Sequence, residues 1–134
     1  MASRAFIEHT GELQVRIDAP SVAELFVEAA RTLADVMGAP SGPPLGPWQV
    51  VALVSRDREA LLVAWLNELI ARTEIDHLLY ADVVVDETSD RHLAARIRGA
   101  PISETRTAVK AATMHGLRIG SGPGGATATL ILDV

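Results

Sequence analysis

Apolar and polar residues alternate from Glu12 to Ile17, which reads Glu-Leu-Gln-Val-Arg-Ile, and a period of two marks a strand with one buried face. Pro20 ends the pattern. Ser21 followed by Glu24 three residues later is a capping box. Val22, Leu25, Phe26, Ala29, Leu33, Val36 and Met37 then recur at helical spacing, which predicts an amphipathic helix from Ser21 to Met37 stopped by Gly38. Between Gly38 and Pro47 stand four prolines and three glycines, a composition that predicts a loop. Trp48 to Ser55 reads as a second strand. Asp57 is a fitting N-cap for a second helix, running to about Thr73, with Leu61, Leu62, Trp65, Leu66, Leu69 and Ile70 on one stripe.

From Leu78 onward the segments are β-branched and alternating. Strands are expected over Leu79 to Asp86, Leu93 to Arg98, Thr107 to Ile119 with an interruption allowed, and Ala126 to Val134. Asp86 to Asp90 and Gly120 to Gly125 have the polar and glycine content of hairpin connections. Helices early and strands late predict an α+β fold, with two helices packed on one face of a mostly antiparallel or mixed sheet. The order strand, capped helix, strand occurs twice, which hints at a duplicated unit.

At 134 residues the chain has the length of one domain, 1–134, with one core. No run of about 18 uncharged apolar residues is present, so no membrane span is expected. The first ten residues carry Glu8 and His9 and lack the apolar stretch of a signal peptide, so a cytoplasmic location is expected. The absence of cysteine excludes a disulfide framework, a thiolate nucleophile and any Cys-based metal site. A formal net charge of −5 disfavours direct, high-affinity binding to nucleic acid.

Gly120, Gly122 and Gly125 satisfy G-x-G-x-x-G, but a phosphate-binding loop must open a helix and the segment that follows is strand-like, so a hairpin loop is expected. His9, His77, His92 and His115 show no zinc-ligand spacing, and no Gly-x-Ser-x-Gly elbow exists, so no catalytic residue is assigned. Glu12 opens the first predicted strand and Asp133 closes the last, positions that a sheet can make neighbours. Two readings of this pair stand open: solvated strand ends, or a hard cation held by Glu12, Asp133 and a backbone carbonyl or the terminal carboxylate of Val134. Lys110 is the chain's one lysine, and chance or a need for a compact ammonium both account for it.

These positions fall in segments that resemble the archease family. The early signature reads His9-Thr10-Gly11-Glu12-Leu13, where the family has His-Thr-Ala-Asp. Glu24-Leu25-Phe26, Ala29-Ala30 and Asp35-Val36-Met37 follow in the first helix, and Leu61-Leu62-Val63-Ala64-Trp65-Leu66-Asn67-Glu68-Leu69 matches the central helix signature. Val109-Lys110-Ala111-Ala112-Thr113-Met114-His115-Gly116 and the final Asp133-Val134 complete the likeness, in family order over nearly the whole chain.

The resemblance implies a two-layer β/α sandwich of two related strand-helix-strand units. It implies a non-catalytic accessory protein that promotes guanylylation and multiple turnover of an RtcB-type RNA ligase in tRNA splicing or RNA repair. It also implies a divalent metal ion such as calcium at Glu12, Asp133 and the backbone of Val134. Lys110 and His115 would then support the partner's nucleotidyl transfer. Glu12 departs from the family's aspartate, and its extra methylene moves the carboxylate outward by roughly 1.5 Å. Two other classes compete: a chaperone-like module binding another RNA-processing enzyme, and a small metal-dependent enzyme using His9, His115 and Asp133.

Overall fold

The computed structural model describes residues 2–9, 11–122 and 124–134, with side chains at all of these except 8, 9 and 114–118. Its elements run β1 (Ser3–His9), β2 (Glu12–Ala19), α1 (Val22–Met37), β3 (Gly38–Pro40), β4 (Leu45–Val54), α2 (Arg58–Asp76), β5 (Leu78–Thr88), β6 (His92–Thr105), β7 (Ala111–Gly122) and β8 (Gly125–Asp133). The fold is α+β, and strand-helix-strand occurs twice, as β2-α1-β3 and β4-α2-β5.

The helices begin where the capping chemistry places them. Ser21, in extended conformation, accepts a hydrogen bond from the Glu24 N–H at 3.1 Å, and Asp57 accepts one from the Ala60 N–H at 2.8 Å. The far end of α2 runs beyond Thr73 to Asp76. His77 adopts the left-handed conformation (φ 56°) and its N–H caps the Thr73 carbonyl at 2.9 Å. Gly38 does end α1, for a different reason: its backbone is extended, and a Cβ there would collide with the Glu104 carbonyl on the neighbouring strand.

Three expectations need correction. β1 has no counterpart among the expected elements, because Ser3 to Ile7 are all exposed and the strand is held by its backbone ladder to β2 rather than by alternate burial. The Gly/Pro segment is not all loop: Gly38–Pro40 pairs with the end of β6, where the register shifts beside Pro40, and β4 already begins at Leu45. The segment from Thr107 is not strand until Ala111. The Arg106 and Thr107 N–H groups instead bond the Met37 and Val36 carbonyls, which the end of α1 leaves unpaired.

Every described strand pair is antiparallel. One sheet has the order β1-β2-β8-β7, and in the other β6 is the hub, pairing with β3, β4 and β5. Both helices pack against both sheets. Leu13, Val15 and Ile17 of β2, with Leu130 and Leu132 of β8, share one core with the helix stripes and with Val51, Leu93 and Ile97 of the second sheet. Trp65 is fully buried there, and its indole N–H donates to the Phe26 carbonyl at 3.0 Å, joining α2 to α1. Neither helix is long and apolar enough to cross a membrane.

Candidate functional site

The end of the first sheet is built by register. Leu13 stands opposite Leu132, Val15 opposite Leu130 and Ile17 opposite Ala128, all on the core side. The alternate residues of β2, from Glu12 to Asp18, therefore point to the other face. Glu12 is there the direct partner of Asp133. The Val134 N–H bonds the Gly11 carbonyl at 3.1 Å, which makes Gly11 and Val134 a hydrogen-bonded pair and the adjacent Glu12 and Asp133 a non-hydrogen-bonded one. In such a pair the Cα atoms approach to about 4.5 Å and the side chains leave the same face close together.

A non-hydrogen-bonded pair turns its backbone groups outward to the next strands. The Asp133 carbonyl accepts the N–H of Lys110, the residue just before β7, at 2.8 Å, and Asp133 is the register partner of Ala111 in β7. Asp133 thus sits between Glu12 on one side and the Lys110-Ala111 step on the other. Glu12 and Lys110 are exposed, while Asp133 and Val134 are half-buried. None of the three charged side chains has an ion-pair partner among the described residues.

The residues singled out from sequence thus converge on one corner of the fold, from opposite ends of the chain. The exceptions are His115 and His9, whose side chains lie outside those described. His9 is the register partner of Glu12 by backbone pairing. Among the described residues no group of three His, Cys, Asp or Glu side chains could hold a metal. A cation here would therefore rest on the two carboxylates with backbone oxygen. The donor set suits a hard ion, because opposed like charges on adjacent strands repel and an oxygen-seeking cation between them relieves that repulsion.

Asn67, within the central helix signature, is the polar residue that ties α2 to this corner. Its carboxamide bonds both the N–H and the C=O of Ala112, at 2.8 and 3.2 Å. The signal available in sequence was a carboxamide beside Leu66 on a helix stripe, where an unpaired amide would be costly. An apolar hollow of about 340 Å³, lined among others by Ala34, Pro40, Leu79 and Ala100, lies elsewhere and includes none of these residues.

The G-x-G-x-x-G pattern lies in the β7–β8 hairpin. Gly125 (φ 118°) starts β8 so close to the Ala19 carbonyl that a side chain would not fit, and no helix follows.

Known proteins agree with this architecture. The Archease protein family (MTH1598/TM1083) matches residues 5–134. "Protein archease" of Methanopyrus kandleri is 31% identical over 137 residues, covering 96% of both chains. Among solved structures, the solution structure of protein 1598 of Methanobacterium thermoautotrophicum matches with a TM-score of 0.78 and 30% identity over 98% of each chain. A Thermotoga maritima protein described as an archease and possible chaperone matches in fold, with a TM-score of 0.68 and 20% identity over 96% of this chain and 94% of its own.

Proposed function

This chain belongs to the archease family, and on that premise we propose that it is a non-catalytic activator of an RtcB-type RNA ligase, promoting guanylylation of the ligase and its repeated turnover. The observation that carries the reading is the pairing of Glu12 with Asp133 on a solvent-facing sheet end, with no basic partner among the described residues and with exposed Lys110 one strand away. A surface that spends two opposed carboxylates without neutralising them is built to meet something positive.

In this reading Glu12, Asp133 and the Val134 backbone hold a divalent cation such as calcium, which when bound supplies local positive charge for phosphate chemistry in the ligase. Glu12 contributes its carboxylate on a longer arm than aspartate. Asp133 offers its side chain while its own carbonyl keeps Lys110 in place. Lys110, with His115 five residues on, presents an ammonium to the partner and offsets charge that develops during nucleotidyl transfer.

A guanylylation assay of the cognate ligase tests this, run with GTP over many turnovers with and without the protein. Stimulation is expected from the wild type and from Glu12→Asp. Asp133→Ala should lose stimulation and weaken calcium binding in calorimetric titration by at least about tenfold, with the fold intact, because the site lies at strand ends. Lys110→Ala should lose stimulation while binding calcium as before. A ligase indifferent to the wild type would refute the assignment. Full stimulation by Asp133→Ala would instead leave a docking protein in which the cation has no part.

A further inference from the structure

Among the described residues β7 is an edge strand, with β8 as its one ladder partner in the sheet order. The ladder is also broken. Ala111, Ala112 and Thr113 pair with Asp133, Leu132 and Ile131, and the register then shifts before pairing resumes at Arg118 and Thr129. Five residues of β7 pass while β8 advances two, so the three-residue segment next to Lys110 is cut off from the rest of its strand. A rung or two holds such a segment weakly, and an irregular ladder specifies register poorly.

On the open side of this segment the Asn67 carboxamide takes the place of a missing strand. A carboxamide has the geometry of a peptide group, and here its oxygen accepts the Ala112 N–H at 2.8 Å while its NH₂ donates to the Ala112 carbonyl at 3.2 Å. Both backbone groups of one buried residue are thereby satisfied by one side chain. Glu59, two turns earlier on α2, accepts the Ile119 N–H at 3.4 Å on the far side of the register shift. One helix therefore grips β7 on both sides of its irregularity, and the Asn67 grip lies two residues from Lys110.

We propose that Asn67 is a positioning residue: by clamping Ala112 it fixes the start of β7 and so sets Lys110 against the Asp133 carbonyl, in the place from which Lys110 serves the ligase. The proposal rests on the activator reading for its functional half alone. The clamp itself is a property of the isolated chain.

Amide hydrogen exchange on the full chain tests the clamp. Asn67→Ala should speed exchange at Lys110 and Ala112 by about tenfold or more, with Val15 and Leu130 unchanged. Unchanged protection at Lys110 and Ala112 overturns the proposal. Should Asn67→Ala fail to fold, Asn67→Asp carries the test. It keeps the acceptor and loses the donor near neutral pH, and it regains an O–H donor as pH falls through the carboxylate range, about 3 to 5. Its Ala112 protection factor should recover over that range, whereas a residue that merely filled space would show no such recovery.

The functional half is read from a double-mutant cycle in the guanylylation assay. Asn67→Ala should lower stimulation, and adding it to Lys110→Arg, which keeps a cation and so retains measurable stimulation, should cause less further loss than it does in the wild type, because Asn67 acts through Lys110. Additive losses overturn positioning of Lys110. If the wild type leaves the ligase unmoved, the activator reading falls by itself, and the exchange measurement still decides the clamp.

Discussion

Asp82 and Arg98 face each other across β5 and β6 in the same register relation that Glu12 and Asp133 hold across β2 and β8. In the second sheet opposite charges meet. Arg98 reaches Asp82 at 2.8 and 3.0 Å, and two positions along Arg96 forks onto both oxygens of Asp86 at 2.9 Å. The Trp48 ring lies against both guanidiniums, 4.6 Å from Arg98 and 5.6 Å from Arg96. In the first sheet the same geometry sets two carboxylates together. The second sheet thus pairs its acids with cross-strand arginine, and among the described residues no arginine pairs with Glu12 or Asp133. Opposite charges across a ladder stabilise and like charges directly opposed destabilise, so the same cross-strand relation acts with opposite sign in the two sheets.

Removing the shared core would erase the comparison altogether. Trp65→Ala should cost about 3 to 5 kcal/mol, since it empties a fully buried site and deletes the bond to Phe26 on which both sheets' helices rest. Chemical denaturation measures it, and an unchanged midpoint would show that α2 is not part of the common core.

Converting one region into the other sharpens it. Glu12→Arg makes the first sheet's pair resemble Asp82 and Arg98, and should raise stability by up to about 1 kcal/mol while abolishing calcium binding and ligase stimulation. Stability that falls, or calcium binding that survives, would show that the two carboxylates do not share one field.

Smaller effects belong to the second region. The Tyr80 hydroxyl donates to Asp76 at 2.5 Å and accepts from the Gln49 carboxamide at 3.2 Å. Burial, with Asp76 beside it, pushes the Tyr80 hydroxyl above its ordinary value. A raised value means that this stability is present below the ordinary tyrosine range, near 10, and is lost as pH rises through the folded value. Tyr80→Phe should therefore cost about 1 kcal/mol near neutral pH and flatten the alkaline decline, as thermal melts across pH would read.

The smallest change expected is at Asp86, whose hydrogen bonds from Arg96 hold its carboxyl below the usual carboxylate range. That contribution exists above the ordinary range and is lost as pH falls through the depressed value. Arg96→Gln should remove this acid slope and leave calcium binding untouched.

Much of the architecture was readable from local pattern. The Ser21 and Asp57 caps, the two helix stripes and the alternation of β2 and β8 are all short-range signals, because burial and capping repeat every two to four residues. Elements without such a signal were missed. β1 is exposed throughout its described side chains, and β3 is three residues of Gly and Pro held by the end of β6.

The chain alone marked Glu12, Asp133, Val134 and Lys110 as residues of interest, since an acid at the end of an apolar strand and a single lysine stand out in composition. That Glu12 and Asp133 meet on the same rung, and that Lys110 hangs from the Asp133 carbonyl, was settled by packing. Leu13, Val15 and Ile17 can be buried together with Leu132, Leu130 and Ala128 in one alignment of β2 and β8, and a slip of one residue would turn every one of them to the other face. The same alignment sends Glu12 and Asp133 out side by side, from opposite ends of the chain, a relation that no periodicity within either strand contains.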